Sequence, residues 1–162
     1  MTTPMSSLRA AALAEARQDP PRRRAGPLAL LVTAALGLAW NAFGVVQWAG
    51  SLRASSDTLM GSGLTAAQAA VYLGLPAWMT VAFAIGVFGG LIGSGLLAWR
   101  RRAAVATLAT SLVAYVALYA GDMAHGLFDV MPSQQAILNA VVGIAVALLG
   151  AALVARRHGL LR

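Results

Sequence analysis

Cysteine is absent from this chain, so disulfides and thiolate metal sites are excluded and redox chemistry says nothing about the compartment. Lysine is absent as well, and all twelve basic residues are arginine. Acidic residues number five and histidines two, which leaves little for metal ligation or acid–base chemistry. Charged residues occupy only 10% of the 162 positions, against about 25% in an average soluble domain. No nucleophile–base pair, phosphate-binding glycine loop or carboxylate dyad is visible, which argues against catalysis and gives no reason to expect a cofactor or a metal. No ten-residue segment alternates in polarity, so nothing supports a closed membrane barrel.

What is present is apolar. Hydrophobic residues make up 59% of the chain, more than a domain of this size can hide from water. Lipid is the solvent that fits. Four long apolar runs cover about 27–48, 76–99, 103–121 and 135–155, none with a charge in its interior. Each is near the ~20 residues that cross ~30 Å of hydrocarbon at 1.5 Å per residue. Helices are required there, because lipid cannot satisfy open backbone N–H and C=O groups. The sequence therefore predicts an all-α integral membrane protein, an up-down four-helix bundle spanning residues 27–155. A polar, basic arm precedes it at 1–26 and a basic tail follows at 156–162.

Arginine placement predicts the orientation. Arg9, Arg17 and Arg22–Arg24 precede the first run, Arg100–Arg102 fill the turn between the second and third, and Arg156, Arg157 and Arg162 follow the fourth. Only Arg53 falls on the opposite side, together with Asp57, Asp122 and Asp129. This bias puts both termini in the cytoplasm. The net charge of +7 then serves topology and lipid headgroups, and nucleic acid is not expected as a partner. The first run has no small-x-small cleavage site after it, so a retained helix is expected rather than a signal peptide.

The connections carry local signals. In the arm, Ser7 to Arg17 reads as a short alanine-rich helix stopped by Pro20-Pro21. Residues 50–63, rich in serine and glycine, are expected to be irregular. Thr65-Ala66-Ala67-Gln68 matches a capping box and predicts a short interfacial helix over about 66–73 in the first outer loop. Pro76 is placed to start the second span. Residues 100–102 can only turn a tight helical hairpin, and 125–133 form a second compact connection.

Four features are candidates for function. Gly86, Gly90 and Ser94 recur every four residues, with Gly89 and Gly93 alongside, while Gly37 and Gly44 share one face of the first span and Gly143 and Gly150 one face of the fourth. Small residues let membrane helices approach closely, so these ridges serve either bundle packing or a partner-subunit face. Asn41 and Asn139 are predicted at comparable depth as buried polar residues, suited to an interhelical amide hydrogen bond or to a polar pathway. Asp122, His125 and Asp129 cluster where the third span ends, as an interfacial ion pair, a pH-responsive pair or a metal group. Trp48, Trp78, Trp99 and Tyr72 sit near span boundaries, whereas Trp40 lies deeper, beside Asn41.

The string Trp40-Asn41-Ala42-Phe43-Gly44, then Pro76-Ala77-Trp78, then 86–94 (GVFGGLIGS) running into Arg100-Arg101-Arg102-Ala103, resembles a family of small four-helix proteins of the bacterial inner membrane. Some of its members carry the label sugar transporter. The likeness covers roughly residues 30–110 and implies the fold and a bacterial inner-membrane location. The family often has an acidic residue three positions after the glycine of its Trp-Asn motif, where this chain has Gln47. Two functional readings follow. One is a non-enzymatic structural or accessory subunit in a larger membrane complex. The other is a small oligomeric transporter or channel for a polar solute. The lipid bilayer is a partner in both, with a homo-oligomer or a membrane complex around it.

Overall fold

The computed structural model describes residues 22–162, and among these every regular element is a helix. Seven helices follow in order: α1 (Arg22–Ser51), α2 (Ser56–Gly61), α3 (Ala66–Leu73), α4 (Ala77–Ala98), α5 (Ala103–Ala124), α6 (Leu127–Val130) and α7 (Pro132–Arg157). The spans Gly26–Ser51, Ala77–Ala98, Ala103–Ala124 and Pro132–Arg157 are long and apolar enough to cross a membrane. The chain is an all-α, four-helix bundle of the multi-pass membrane type. The helix expected at Ser7–Arg17 lies outside the described residues.

Span boundaries differ from the hydropathy reading mainly by extending it. The first helix begins at Arg22, upstream of Pro27, so residues 22–26 belong to the rod rather than to the arm. Pro27 removes one backbone donor near the helix start, a smaller penalty than in a helix centre. The third helix continues three residues past Gly121, which carries Asp122 into its last turn. The fourth starts at Pro132, whose fixed φ suits the first helical position.

Two short helices begin with capping boxes. At α3, Thr65 Oγ1 accepts from the Gln68 N–H (3.3 Å) while Gln68 Oε1 accepts from the Thr65 N–H (2.9 Å). The interfacial helix thus stands where the sequence placed it. The stretch expected to be irregular holds another helix, α2, in which Ser55 and Thr58 cap each other. Threonine replaces the usual Glu or Gln of the motif, which hides the signal.

Helix ends close by left-handed residues. Gly63, Gly126 and Gly159 take positive φ just past α2, α5 and α7, where a side chain would be strained. Past α4 the same position is Arg100, at φ 57°. Its N–H bonds Leu97 O (3.0 Å) and the Arg101 N–H bonds Leu96 O (2.8 Å), so the tight hairpin turn is paid for by an arginine in a glycine conformation.

The bundle is a ring with one weak seam. α4 packs most extensively on α5, α1 lies along α4, α7 lies along α5, and α1 meets α7 only slightly. At the end bearing Arg100–Arg102 all four rods converge on a core of Leu30, Ala34, Leu97, Ala104, Leu108, Leu148, Ala152 and Ala155. Leu161 completes that core, 2% exposed. The end of the basic tail folds back onto the bundle. The Arg162 N–H bonds Arg100 O (2.7 Å) and the Arg102 N–H bonds Arg162 O (3.0 Å).

Candidate functional site

The glycine ridges are used inside the bundle. α4 presents two lines of small residues to two neighbours. Toward α5, a methyl group on Gly86 would lie 2.6 Å from the Tyr115 ring, and one on Gly93 would lie 2.7 Å from Leu108. Gly89 sits against Ser111 on the same side. Toward α1, Gly90 receives the Asn41 side chain and Ser94 fills the notch at Gly37. Gly44 makes room for Val87. Seven of the nine expected packing residues thus face other helices of the same chain. By contrast, Gly143 and Gly150 of α7 have open space around them.

These contacts frame a polar layer at mid-bundle. Asn41, 2% exposed, donates through Nδ2 to Gly37 O one turn earlier (2.8 Å). Its Oδ1 accepts from the Tyr115 hydroxyl on α5 (3.3 Å). One turn away, Ser111 Oγ donates to Gly86 O (2.6 Å), binding α5 to α4. The buried Ser94 hydroxyl has no partner among the described residues. Asn139 does not join this layer. It is exposed on α7 rather than buried, because α7 turns Leu138, Val141 and Ala145 inward, and its neighbour in sequence faces out. Asn41 finds Tyr115 instead, a residue the sequence reading passed over. The available signal was Ser111 and Tyr115 four apart on one face, with a tyrosine far from any span boundary.

Above this layer, away from the arginines, the four rods line a partly open cavity of about 540 Å³. Trp40, Phe43 and Gly44 of α1 form one wall, Phe83 of α4 and Tyr115 of α5 the base, and Val141 of α7 the opposite wall. Its size falls in the range of small-molecule sites, with mostly apolar walls and few polar groups. The polar lining residues toward the loop end are Gln47, Ser51, Tyr72, Gln134 and Asp122. Around the cavity the loop helices are pinned: Gln68 Nε2 donates to Val130 O (2.8 Å), tying α3 to α6, and Ala69 is fully buried. Trp48 Nε1 donates to Thr80 O (3.1 Å), and its ring meets Phe88 edge-on at 5.3 Å.

The acidic cluster is divided by this geometry. Asp122 is 2% exposed and lines the cavity. His125 is exposed and bent back, with Nδ1 2.9 Å from Gly121 O, and Asp129 is exposed on α6. Among the described residues no group of three His, Cys, Asp or Glu side chains stands close enough for a metal ion. Tyr72, on α3, is close enough to feel the carboxyl. Burial first, and then the charge of Asp122, push its phenol above the ordinary value of 10.0, with the Ser51 hydroxyl opposing.

Compared with known proteins, the chain matches no family model, no curated protein and no solved structure.

Proposed function

We propose that this chain is a non-enzymatic accessory protein of a bacterial inner membrane that holds a small, mainly apolar molecule in its loop-half cavity. The observation that carries this reading is the cavity of about 540 Å³ shared by all four rods and floored by Tyr115. The Ser111 and Tyr115 hydroxyls are engaged in helix-to-helix hydrogen bonds to Gly86 O and Asn41 Oδ1, which suits a scaffold rather than a reaction centre. The arginine end lies in the cytoplasm on this reading, by the excess of positive charge there, and the cavity opens toward the outer leaflet. Accessory status rests on the small size of the bundle and on the exposed apolar faces of α1 and α7, which suit lipid or a larger membrane subunit.

The test is purification from native membranes in mild detergent, with co-purifying subunits and small molecules identified by mass spectrometry. A retained small molecule, lost from a Val141→Trp variant that fills the cavity, is the expected result. Equal retention by both proteins would refute the cavity as its site. A second reading, an oligomeric transporter of a polar solute, draws on the same cavity as one half of a pathway. It requires the Asn41–Tyr115 contact to open, and solute flux into proteoliposomes would support it.

A further inference from the structure

Asp122 is the one acidic or basic side chain among the described residues that is buried. A carboxylate withdrawn from water without a countercharge costs several kcal/mol, so such groups either neutralise or acquire a cation. Acidic residues in membrane helices that face a cavity mark ligand or ion sites by default. The described chain supplies no fixed cation inside this one. Arg53 is exposed in the loop, and His125, whose charge reaches Asp122, stands exposed outside the cavity with a ring nitrogen set on Gly121 O. The other described arginines stand at the opposite end of the bundle.

The rest of the cavity is mainly apolar, with more aliphatic than aromatic side chains. Phe83, Tyr115, Leu118 and Val141 line it below Asp122, Phe43 lines it from an exposed position on α1, and Tyr72 lies within reach of the charge of Asp122. Asp122 and Tyr115 are two helical turns apart on α5, about 10 Å at 1.5 Å per residue. A carboxylate above apolar walls selects one kind of molecule. Anions are repelled by Asp122, neutral apolar molecules gain only the walls, and an amphiphilic cation gains the carboxylate for its head and the walls for its body.

We infer that the cavity takes a cationic amphiphile, a protonated amine whose head rests on Asp122 and whose apolar body reaches about 10 Å down to Tyr115. The inference deepens the proposed function and rests on the cavity being a ligand site. Gln47 and Gln134 line the same cavity and supply further polar groups to it.

The test uses three probes with one naphthylhexyl body and different heads: ammonium, hydroxyl and carboxylate. Binding is measured to the full chain in phosphatidylcholine nanodiscs, with binding to empty nanodiscs subtracted. The ammonium probe is expected to bind about tenfold more tightly than the alcohol, the gain of one charge-assisted contact, and the carboxylate more weakly than either. Asp122→Asn should bring the ammonium probe to the affinity of the alcohol. Equal binding of ammonium and alcohol to the unmodified protein would overturn the cationic assignment and leave the cavity reading intact. Failure of all three probes to exceed empty nanodiscs would overturn the cavity reading and this inference with it. Should Asp122→Asn not fold, the head-group ranking on the unmodified protein decides alone.

Discussion

The two halves of the bundle are made by the same four rods and differ in what stands between them. At the arginine end the inward residues include Ala34, Gly37, Ala104, Ala152 and Ala155, so backbones converge and Leu161 stops the gap. At the loop end the inward residues are larger: Met79, Phe83, Tyr115 and Leu118 line the hollow, and Trp48, Tyr119 and Phe128 pack around it. Bulky side chains there lean on one another, as Tyr119 and Phe128 do at 5.0 Å, and leave a hollow beside the weak α1–α7 seam. Small residues exclude space in a membrane bundle, and large ones laid along its walls can enclose it. Lipid adds little drive for helices to collapse, so side-chain shape decides where they touch.

The sharpest way to break this contrast is at the floor of the cavity. Gly86→Val places a branched side chain where even a methyl would lie 2.6 Å from Tyr115. A loss of about 3 kcal/mol is expected, read as a lower thermal midpoint in detergent. A loss below about 1 kcal/mol would mean that Tyr115 swings into the hollow and that the floor is soft. At the closed end, Leu161→Ala should cost about 2 kcal/mol by opening a void in the small-residue core. Faster amide exchange at residues 160–162 and 100–102 should accompany it, because the two segments bond each other. An unchanged exchange rate would show that the clip, not Leu161, holds the end shut. The smallest effect is a gain. Arg100→Gly removes side-chain strain at φ 57° and should stabilise the hairpin by about 1 kcal/mol, raising the thermal midpoint.

The fold was more legible than the site, and particular residues show why. The Thr65–Gln68 capping box and Pro76 marked the first outer loop, because capping chemistry is local and leaves its residues in sequence order. Ser55 and Thr58 make the same kind of cap with a less common pair, and the helix they start was read as irregular chain. For the site, the ridge of Gly86, Gly90 and Ser94 was visible, but a spacing of four says that a face is flat, not who lies on it. Asn41 was correctly read as buried and Asn139 was not, since equal depth does not fix rotation about a helix axis. Asp122 was grouped with His125 and Asp129 by proximity in sequence. The helix ran on past Gly121, which turned Asp122 inward and left the other two outside.

Four apolar rods, their all-helical state and their hairpin connections were determined by the sequence alone. Those follow from hydrophobic length and from the backbone's need to bond itself in lipid, properties of each segment taken singly. The tertiary structure decided the pairing of Asn41 with Tyr115, the return of Leu161 into the core, and the hollow that Asp122 faces. Each of these depends on the rotation of one rod against another, which side-chain packing sets only after the helices have met.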